Sequence, residues 1–332
     1  MFILILWITA SCQNEPSIQH PDALELKYPA ESKILLEKGD LRVLFRDNSE
    51  SPRILSGLQS LFNTNYAGDY DAFDPDTPSA SAGLNFEHII SGHDNQNNKF
   101  SPRHGSYLLY RLADANSAVL IRDANDSPWQ MASSLSYTIH EPHYVDFEFR
   151  CTPYKADLFG SWGYAIFFFA NYMNDVAEIP INFLGIQTQG AEESWISADA
   201  PKGHTHYDGG GTYRHLDAPP LQYDQDLKFN LNSWSYEWPR FTKPFYYGKA
   251  ANDMVFILMF NTSFTKKDEI RFSLFKFKLN KFPRPAWDFQ YVIHKVENGR
   301  EYGFKGRLVW KKFISPEDCI NEYLTWIEEL KN

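Results

Sequence analysis

The sequence predicts a large, mainly antiparallel β-sandwich closed by one C-terminal helix. Three observations lead there. Aromatic residues occupy 16% of the 332 positions, with 26 Phe, 19 Tyr and 9 Trp, and such side chains favour half-buried pleated surfaces. Runs with strand character recur from Leu41 to Trp310, punctuated by turn residues. The chain then ends on an amphipathic stretch that opens with a capping signal.

The elements follow in order. Phe2 to Ile8 is almost continuously apolar and leads into Thr9-Ala10-Ser11-Cys12. That run is too short for the ~20 residues a helix needs to cross a bilayer, so it reads as a cleaved export signal over residues 1–11. Small residues before Cys12 resemble a bacterial lipoprotein signal, although Thr9 stands where Leu is usual and no Lys or Arg precedes the apolar run. The expectation is an exported chain, an outer-membrane lipoprotein facing the periplasm or the cell surface, touching the membrane only through a lipid on Cys12. The alternative is plain secretion with Cys12 incidental. A polar linker (12–30), the sandwich (31–314) and the helix (315–332) complete the expected organisation.

Leu41 to Phe45 reads as a strand, and Ile54, Leu55, Leu58, Leu61 and Phe62 have the spacing of a short helix. From Asn63 to Gly105 the chain is rich in Asn, Asp, Ser, Gly and Pro and reads as one long loop, a candidate wall of a binding site. Strands are expected at Tyr107–Leu112, Ala118–Asp123, Leu135–His140 and Tyr144–Thr152. In the last of these Val145, Phe147 and Phe149 alternate with Asp146, Glu148 and Arg150, so one face is polar. Tyr164 to Ala170 is unbroken apolar and predicts a central strand covered on both faces. Further strands are expected at Met254–Phe260, Ile270–Leu279, Phe289–His294 and Tyr302–Trp310. Ser315 caps the final helix, Pro316 takes its first position and Asp318 completes a capping box. Ile320, Tyr323, Leu324, Ile327 and Leu330 are expected on its buried face, with Glu322, Glu328, Glu329 and Lys331 in water.

Composition excludes several functions. With 32 basic and 42 acidic residues the net charge is −10, and no run of Lys and Arg offers the basic footprint that nucleic acid requires. The three cysteines include no Cys-x-x-Cys pair, which excludes a zinc ribbon and a disulfide framework. Cys151 and Cys319 read as buried thiols.

The densest chemistry lies in Gly203-His204-Thr205-His206-Tyr207-Asp208-Gly209-Gly210-Gly211-Thr212-Tyr213-Arg214-His215. Consecutive glycines let backbone approach a ligand closely. His204 and His206 project to one side of an extended segment, the spacing at which two imidazoles share a substrate or a divalent metal, with Asp208, His215 or Asp217 as a third ligand. Without a metal, His204 or His206 with Tyr213 and Arg214 forms a proton-transfer group. Such a set suits β-elimination from a uronic acid, since Arg neutralises the carboxylate beside the carbon that loses its proton. Trp195 and Trp238 lead an aromatic group that also includes Trp234, Tyr236, Phe245, Tyr246 and Tyr247, flat faces that match sugar rings. Glu87, His88, Arg103, His104, Asn171 and Tyr172 each follow or precede an apolar element, where sandwich ligand sites are built. Glu87 and Asp208 are also candidates for the paired carboxylates of a glycoside hydrolase.

The segments Ala82-Gly83-Leu84-Asn85-Phe86-Glu87-His88, Phe169-Ala170-Asn171-Tyr172-Met173-Asn174, Trp287-Asp288-Phe289-Gln290-Tyr291-Val292 and Glu301-Tyr302-Gly303-Phe304-Lys305-Gly306-Arg307 resemble an uncharacterised secreted family of polysaccharide-degrading bacteria. The layout is similar to the galactose-mutarotase-like supersandwich, a fold shared by sugar epimerases, glycoside hydrolases and polysaccharide lyases. The resemblance implies a partner that is a polysaccharide or oligosaccharide, and it carries no catalytic residue across. The expected function is therefore an exported glycan-cleaving enzyme, a lyase first and a hydrolase second. The competing expectation is a surface glycan-binding lipoprotein that performs no chemistry.

Overall fold

The computed structural model describes residues 26, 28–50, 55–74, 82–199, 209–261, 268–276 and 284–331. The expected export signal, Cys12, His204, His206 and Asp208 lie outside the described residues. Strands β1 (Lys33–Lys38), β2 (Leu41–Arg46) and β3 (Gly57–Asn63) form a small antiparallel sheet. The large sheet takes β4 (Asn85–Ile90), β5 (Leu108–Arg111), β6 (Ser117–Arg122), β7 (Met131–His140), β8 (Tyr144–Pro153), β9 (Ala165–Ala170) and β10 (Val176–Ile186) from the first half of the chain. The second half adds β11 (Glu193–Ala198), β12 (Gly209–His215), β13 (Ser235–Phe241), β14 (Phe245–Ala250), β15 (Met254–Asn261), β16 (Glu269–Lys276), β17 (Ala286–Ile293) and β18 (Tyr302–Lys312). One short helix, α1 (Ser101–His104), precedes β5, and α2 (Pro316–Glu329) ends the described chain.

The large sheet runs β4-β9-β17-β16-β12-β13-β10-β14-β15-β18-β8-β7-β6-β5, with β11 attached to β10. Among the described pairs only β12 with β13 is parallel. The sheet folds back on itself, because aromatic rings from its two halves meet in one core. Phe86 of β4 lies 5.1 Å from Phe149 of β8, Phe169 of β9 lies 5.4 Å from Phe304 of β18, and Phe260 of β15 lies 4.7 Å from Phe289 of β17. The result is the expected antiparallel sandwich. Burying several hundred square ångströms of ring surface this way supplies the main stabilising term, at ~25 cal/mol per Å².

Strand β9 is covered on both faces, as its unbroken apolar run predicts. Ala165, Phe167 and Phe169 enter the core, while Ile166, Phe168 and Ala170 lie under Leu221, Leu231, Phe229 and Trp234 of the connection between β12 and β13. In β8 the expected alternation holds, with Val145, Phe147 and Phe149 in the core and Asp146, Glu148 and Arg150 outside it.

Two expectations about the first hundred or so residues are overturned. The segment around Leu58 and Leu61 is strand β3, not a helix. Its pairing with β2 shifts between Leu44 and Phe45, leaving Gln59 as an extra residue. That bulge turns two leucines three apart onto the same buried face, which imitates helical spacing. The long loop from Asn63 to Gly105 is likewise interrupted by β4 and α1. Polar Asn85, Glu87 and His88 hide β4 from a hydrophobicity reading, yet all six of its residues are buried.

Helix α2 starts as predicted, with Asp318 N–H donating to the Ser315 hydroxyl at 3.2 Å. Its buried residues are Cys319, Tyr323 and Trp326, packed on Phe245, Tyr247, Val255, Ile257, Met259 and Val309. Leu324 and Leu330 are exposed, and Glu322 is not in water: the Tyr144 hydroxyl donates to it at 2.9 Å and Lys311 pairs with it. The apolar stripe is one position off the expected one because β8 and β18 present a polar anchor to Glu322. Burial opposes the Glu322 charge, but the His143 imidazole at 3.8 Å and hydrogen bonds from Lys311 and Tyr144 hold its carboxyl down at about 2. Ser315→Ala is expected to cost roughly 1 kcal/mol, read as a fall of about 2 °C in calorimetric melting temperature. Cys151 and Cys319 are both buried free thiols.

Candidate functional site

The edge of the large sheet breaks its regular register at one point. Phe86 pairs with Phe169 and His88 with Phe168, so Glu87 is an extra residue in a β-bulge. A bulge re-aims the side chain that it inserts. Here it puts a carboxylate, rather than a hydrophobic group, into a buried position: Glu87 is 1% exposed. Arg103 of α1 pairs with Glu87 Oε1, and the Tyr172 hydroxyl donates to the same oxygen at 2.8 Å. Nδ1 of His88 lies 3.8 Å from Glu87 Oε2 and is buried with no hydrogen-bond partner.

Local sequence explains why these groups meet. Pro102 sits in the first turn of α1, and Asn48 holds the end of that turn by donating to the carbonyl of Gly105, so Arg103 is carried back over β4. Tyr172 lies two residues past the end of β9 and bridges to Ala286 at the start of β17. Asn171, beside it, is fully buried: its Nδ2 donates to the Trp287 carbonyl and its Oδ1 accepts from Leu84 N–H, both at 2.8 Å. Asn171 is thus a pin between β4 and β17 and leaves Tyr172 to face Glu87.

Aromatic rings wall the group. His88 lies 4.4 Å from Phe100, 5.6 Å from Phe229 and 5.3 Å from Phe168, and Trp234 extends the wall 5.7 Å beyond Phe229. The Lys99 ammonium rests over the rings of Phe100 and Phe229 at 5.4 and 5.5 Å. His104 is exposed beside Arg103. Burial, then the positive charges of Arg103, Lys99 and His104, push the His88 imidazole down to about 3, so at neutral pH it is uncharged. Burial pushes the Glu87 carboxyl up, against the pull of Arg103 and the Tyr172 hydrogen bond. Burial and the Glu87 charge keep Tyr172 protonated. The arrangement joins an uncharged imidazole, a phenol and a carboxylate beneath a cationic rim, which is chemistry for moving a proton next to a bound anion.

The structure brings Glu87, His88, Arg103 and Tyr172 together, with His104 beside Arg103. It separates the others. Tyr213 and Arg214 are neighbours on β12 and point to opposite faces. Tyr213 enters the core, 5.4 Å from Phe183, and its hydroxyl donates to the Asp199 carbonyl at 2.7 Å. Arg214 points outward to Glu269 at 2.8 Å. Trp195 packs 5.6 Å from Tyr247 in the cluster under α2, on the other outer face of the sandwich from His88. Trp238 carries the Arg240 guanidinium at 5.9 Å from its ring. Of the glycine run, Gly210 is required by packing: a Cβ there would overlap the ring of Phe275. Among the described residues no group of three His, Cys, Asp or Glu is placed to hold a metal.

Sequence reasoning missed Lys99, Phe100 and Phe229, which lie in turn-rich stretches and show no period. It also missed a buried polar face on β16 and β17. There Arg271 and Ser273 alternate with Phe272 and Leu274, and Asp288 and Gln290 with Phe289 and Tyr291. That alternation was readable, but alternation ordinarily means a wet face, and this one is covered.

No protein-family model matches the chain, and no curated protein matches it. Among solved structures, the Slr1438 protein of Synechocystis sp. PCC 6803 is similar over 89% of this chain and 100% of that one, at 12% identity and a TM-score of 0.49. A GalM/aldose epimerase homologue from C. elegans is similar over 85% of this chain and 99% of that one, at 12% identity and a TM-score of 0.40. A heparan sulfate lyase HepC mutant from Pedobacter heparinus is similar over 90% of this chain and 38% of that one, at 8% identity and a TM-score of 0.42. Likeness at these levels assigns neither a family nor an activity to this chain.

Proposed function

We propose that this chain is an exported carbohydrate-active protein that cleaves an acidic glycan by β-elimination at the Glu87 site. What carries the proposal is an uncharged, buried His88 held between the Glu87 carboxylate and the cations Arg103, Lys99 and His104. Burial first, and then the rim cations, depress His88; a uronic-acid carboxylate drawn to that rim offsets the second of these, so the imidazole becomes more basic when such a substrate binds. His88 then takes the proton from the carbon beside the carboxylate. The electron pair of that C–H bond forms a carbon–carbon double bond, the bond to the glycosidic oxygen breaks, and the Tyr172 hydroxyl gives that oxygen its proton. Solvent returns a proton from His88 to Tyr172. Glu87 positions Arg103 and Tyr172 through the hydrogen bonds it accepts, and the faces of Phe100, Phe229 and Trp234 stack against sugar rings.

The test incubates the protein with a panel of uronic-acid polysaccharides and follows ultraviolet absorbance from unsaturated ends. Growth of that absorbance is expected with at least one acidic glycan and none with neutral ones. New reducing ends without absorbance would make the chain a hydrolase, and binding without either product would make it a glycan-binding protein; both outcomes overturn the elimination. His204→Ala with His206→Ala in the same assay measures what the sequence-based pair contributes.

A further inference from the structure

On the outer face of the same sheet, register sets Arg214 of β12 opposite Arg271 of β16, and Arg271 opposite Gln290 of β17. One step along, Thr212 lies opposite Ser273, and Ser273 opposite Asp288. Residues two apart on a strand share a face and opposed pairs bring Cβ atoms to ~5 Å, so these side chains form one patch. Thr212, Ser273, Arg271 and Gln290 are each 0% exposed. Yet the hydroxyls of Thr212 and Ser273, both amide atoms of Gln290 and Nε of Arg214 have no hydrogen-bond partner. A buried polar atom left unpaired costs ~1–3 kcal/mol, and native interiors keep such atoms few. Here they are neighbours.

The charges are unbalanced in the same place. Arg214 and Arg271 share one carboxylate, Glu269, and their other hydrogen bonds go to uncharged oxygens, the Pro219 carbonyl and Asn232 Oδ1. Burial pushes the Asp288 carboxyl well up, and its Oδ1 accepts from the Asn171 N–H at 2.6 Å instead of pairing with either guanidinium. Burial likewise pushes His294 down and leaves it uncharged. Asp268 is engaged by the Tyr291 hydroxyl at 2.6 Å, and Arg240 adds positive charge nearby. A surplus cation therefore sits in a dry region among unused hydrogen-bonding groups, of which the Thr212 and Ser273 hydroxyls, Gln290 Nε2 and Arg214 Nε are donors that an anion can use.

We propose that this patch is an anion-binding site in which the guanidinium groups of Arg214 and Arg271, the Thr212 and Ser273 hydroxyls and the Gln290 amide surround a small inorganic anion or the carboxylate or sulfate of a glycan. The connection between β12 and β13 covers it, tied down by Arg214 at Pro219 and by Arg271 at Asn232. Three strand spacings separate β16 from β4, roughly 14 Å. The site does not depend on proton transfer by His88 and stands or falls separately.

Thermal unfolding of the full-length protein in a bulky organic sulfonate buffer, titrated with sodium sulfate and separately with sodium chloride at constant ionic strength, tests it. A saturable rise in melting temperature with either anion is expected. In Ser273→Ala with Gln290→Leu the midpoint of that rise moves at least tenfold higher in anion. The anion-free melting temperature of this variant stays level or rises, because unpaired buried polar atoms have been removed. Thr212→Val serves as the second variant should the double variant fail to fold. A melting temperature indifferent to both anions, or a rise of unchanged midpoint in the variants, overturns the proposal. A glucuronate-containing oligosaccharide that competes with the inorganic anion marks a subsite of the glycan cleft, and one that adds to it marks a resident ion; either result supports the site.

Discussion

His88→Gln is expected to lower kcat/KM on an acidic glycan by ~10²–10⁴-fold, the contribution of a positioned general base, with little change in melting temperature because Gln keeps a polar group of similar size at the bulge. The pH profile makes the test specific. Burial and the cations Arg103, Lys99 and His104 hold His88 down to about 3 in the free protein. The unprotonated imidazole is the active form, so the acid limb of kcat/KM lies far below the ordinary histidine value of 6.5. Arg103→Met removes the largest charge acting on His88 and moves that limb upward. An acid limb at 6.5 in the unaltered protein, or an Arg103→Met profile that does not move, would show that another group is the base. The same depressed value links to stability: the unfolded chain binds the His88 proton more readily, so this contribution is complete above 6.5 and is lost as pH falls toward 3.

The largest stability effect is expected at Glu269. Glu269→Ala leaves the buried guanidinium groups of Arg214 and Arg271 without their shared carboxylate, and breaking a buried ion pair from one side costs ~3–5 kcal/mol. Equilibrium urea unfolding measures the loss, and a change below about 1 kcal/mol would show that the two guanidinium groups do not depend on Glu269 as their counter-charge. Replacing all three charges together, as Glu269→Leu with Arg271→Met and Arg214→Met, should recover much of the loss, since apolar groups of similar volume avoid the desolvation of the buried charges. Burial alone would raise the Glu269 carboxyl, but Arg271 and Arg214 outweigh it and hold it below its ordinary 4.5. The stabilisation by this group is therefore present above 4.5 and is lost as pH falls through the depressed value.

Both effects arise where the sequence was least legible. Each strand from Tyr107 to Trp310 that alternation or apolar runs announced appears within a few residues of its expected bounds, because a period of two is a local property of the pleat. The capped start of α2 was legible for the same reason: Ser315, Pro316 and Asp318 act within one turn. Strand β3 was misread because a bulge at Gln59 broke that period. The other bulge, at Glu87, is what makes the site, and nothing in Asn85-Phe86-Glu87-His88 marks one residue as extra.

By itself, then, the amino-acid order determined an aromatic-cored antiparallel sandwich ending in a helix, since patterning and capping need only near neighbours. It also supplied Glu87, His88, Arg103 and Tyr172 as polar residues beside apolar elements. Only the tertiary structure decided that these four meet, that Tyr213 and Arg214 part to opposite faces, and that Arg271, Ser273 and Gln290 lie dry instead of wet. Those outcomes depend on which strand lies next to which and what covers the sheet, and contacts between separate elements settle them.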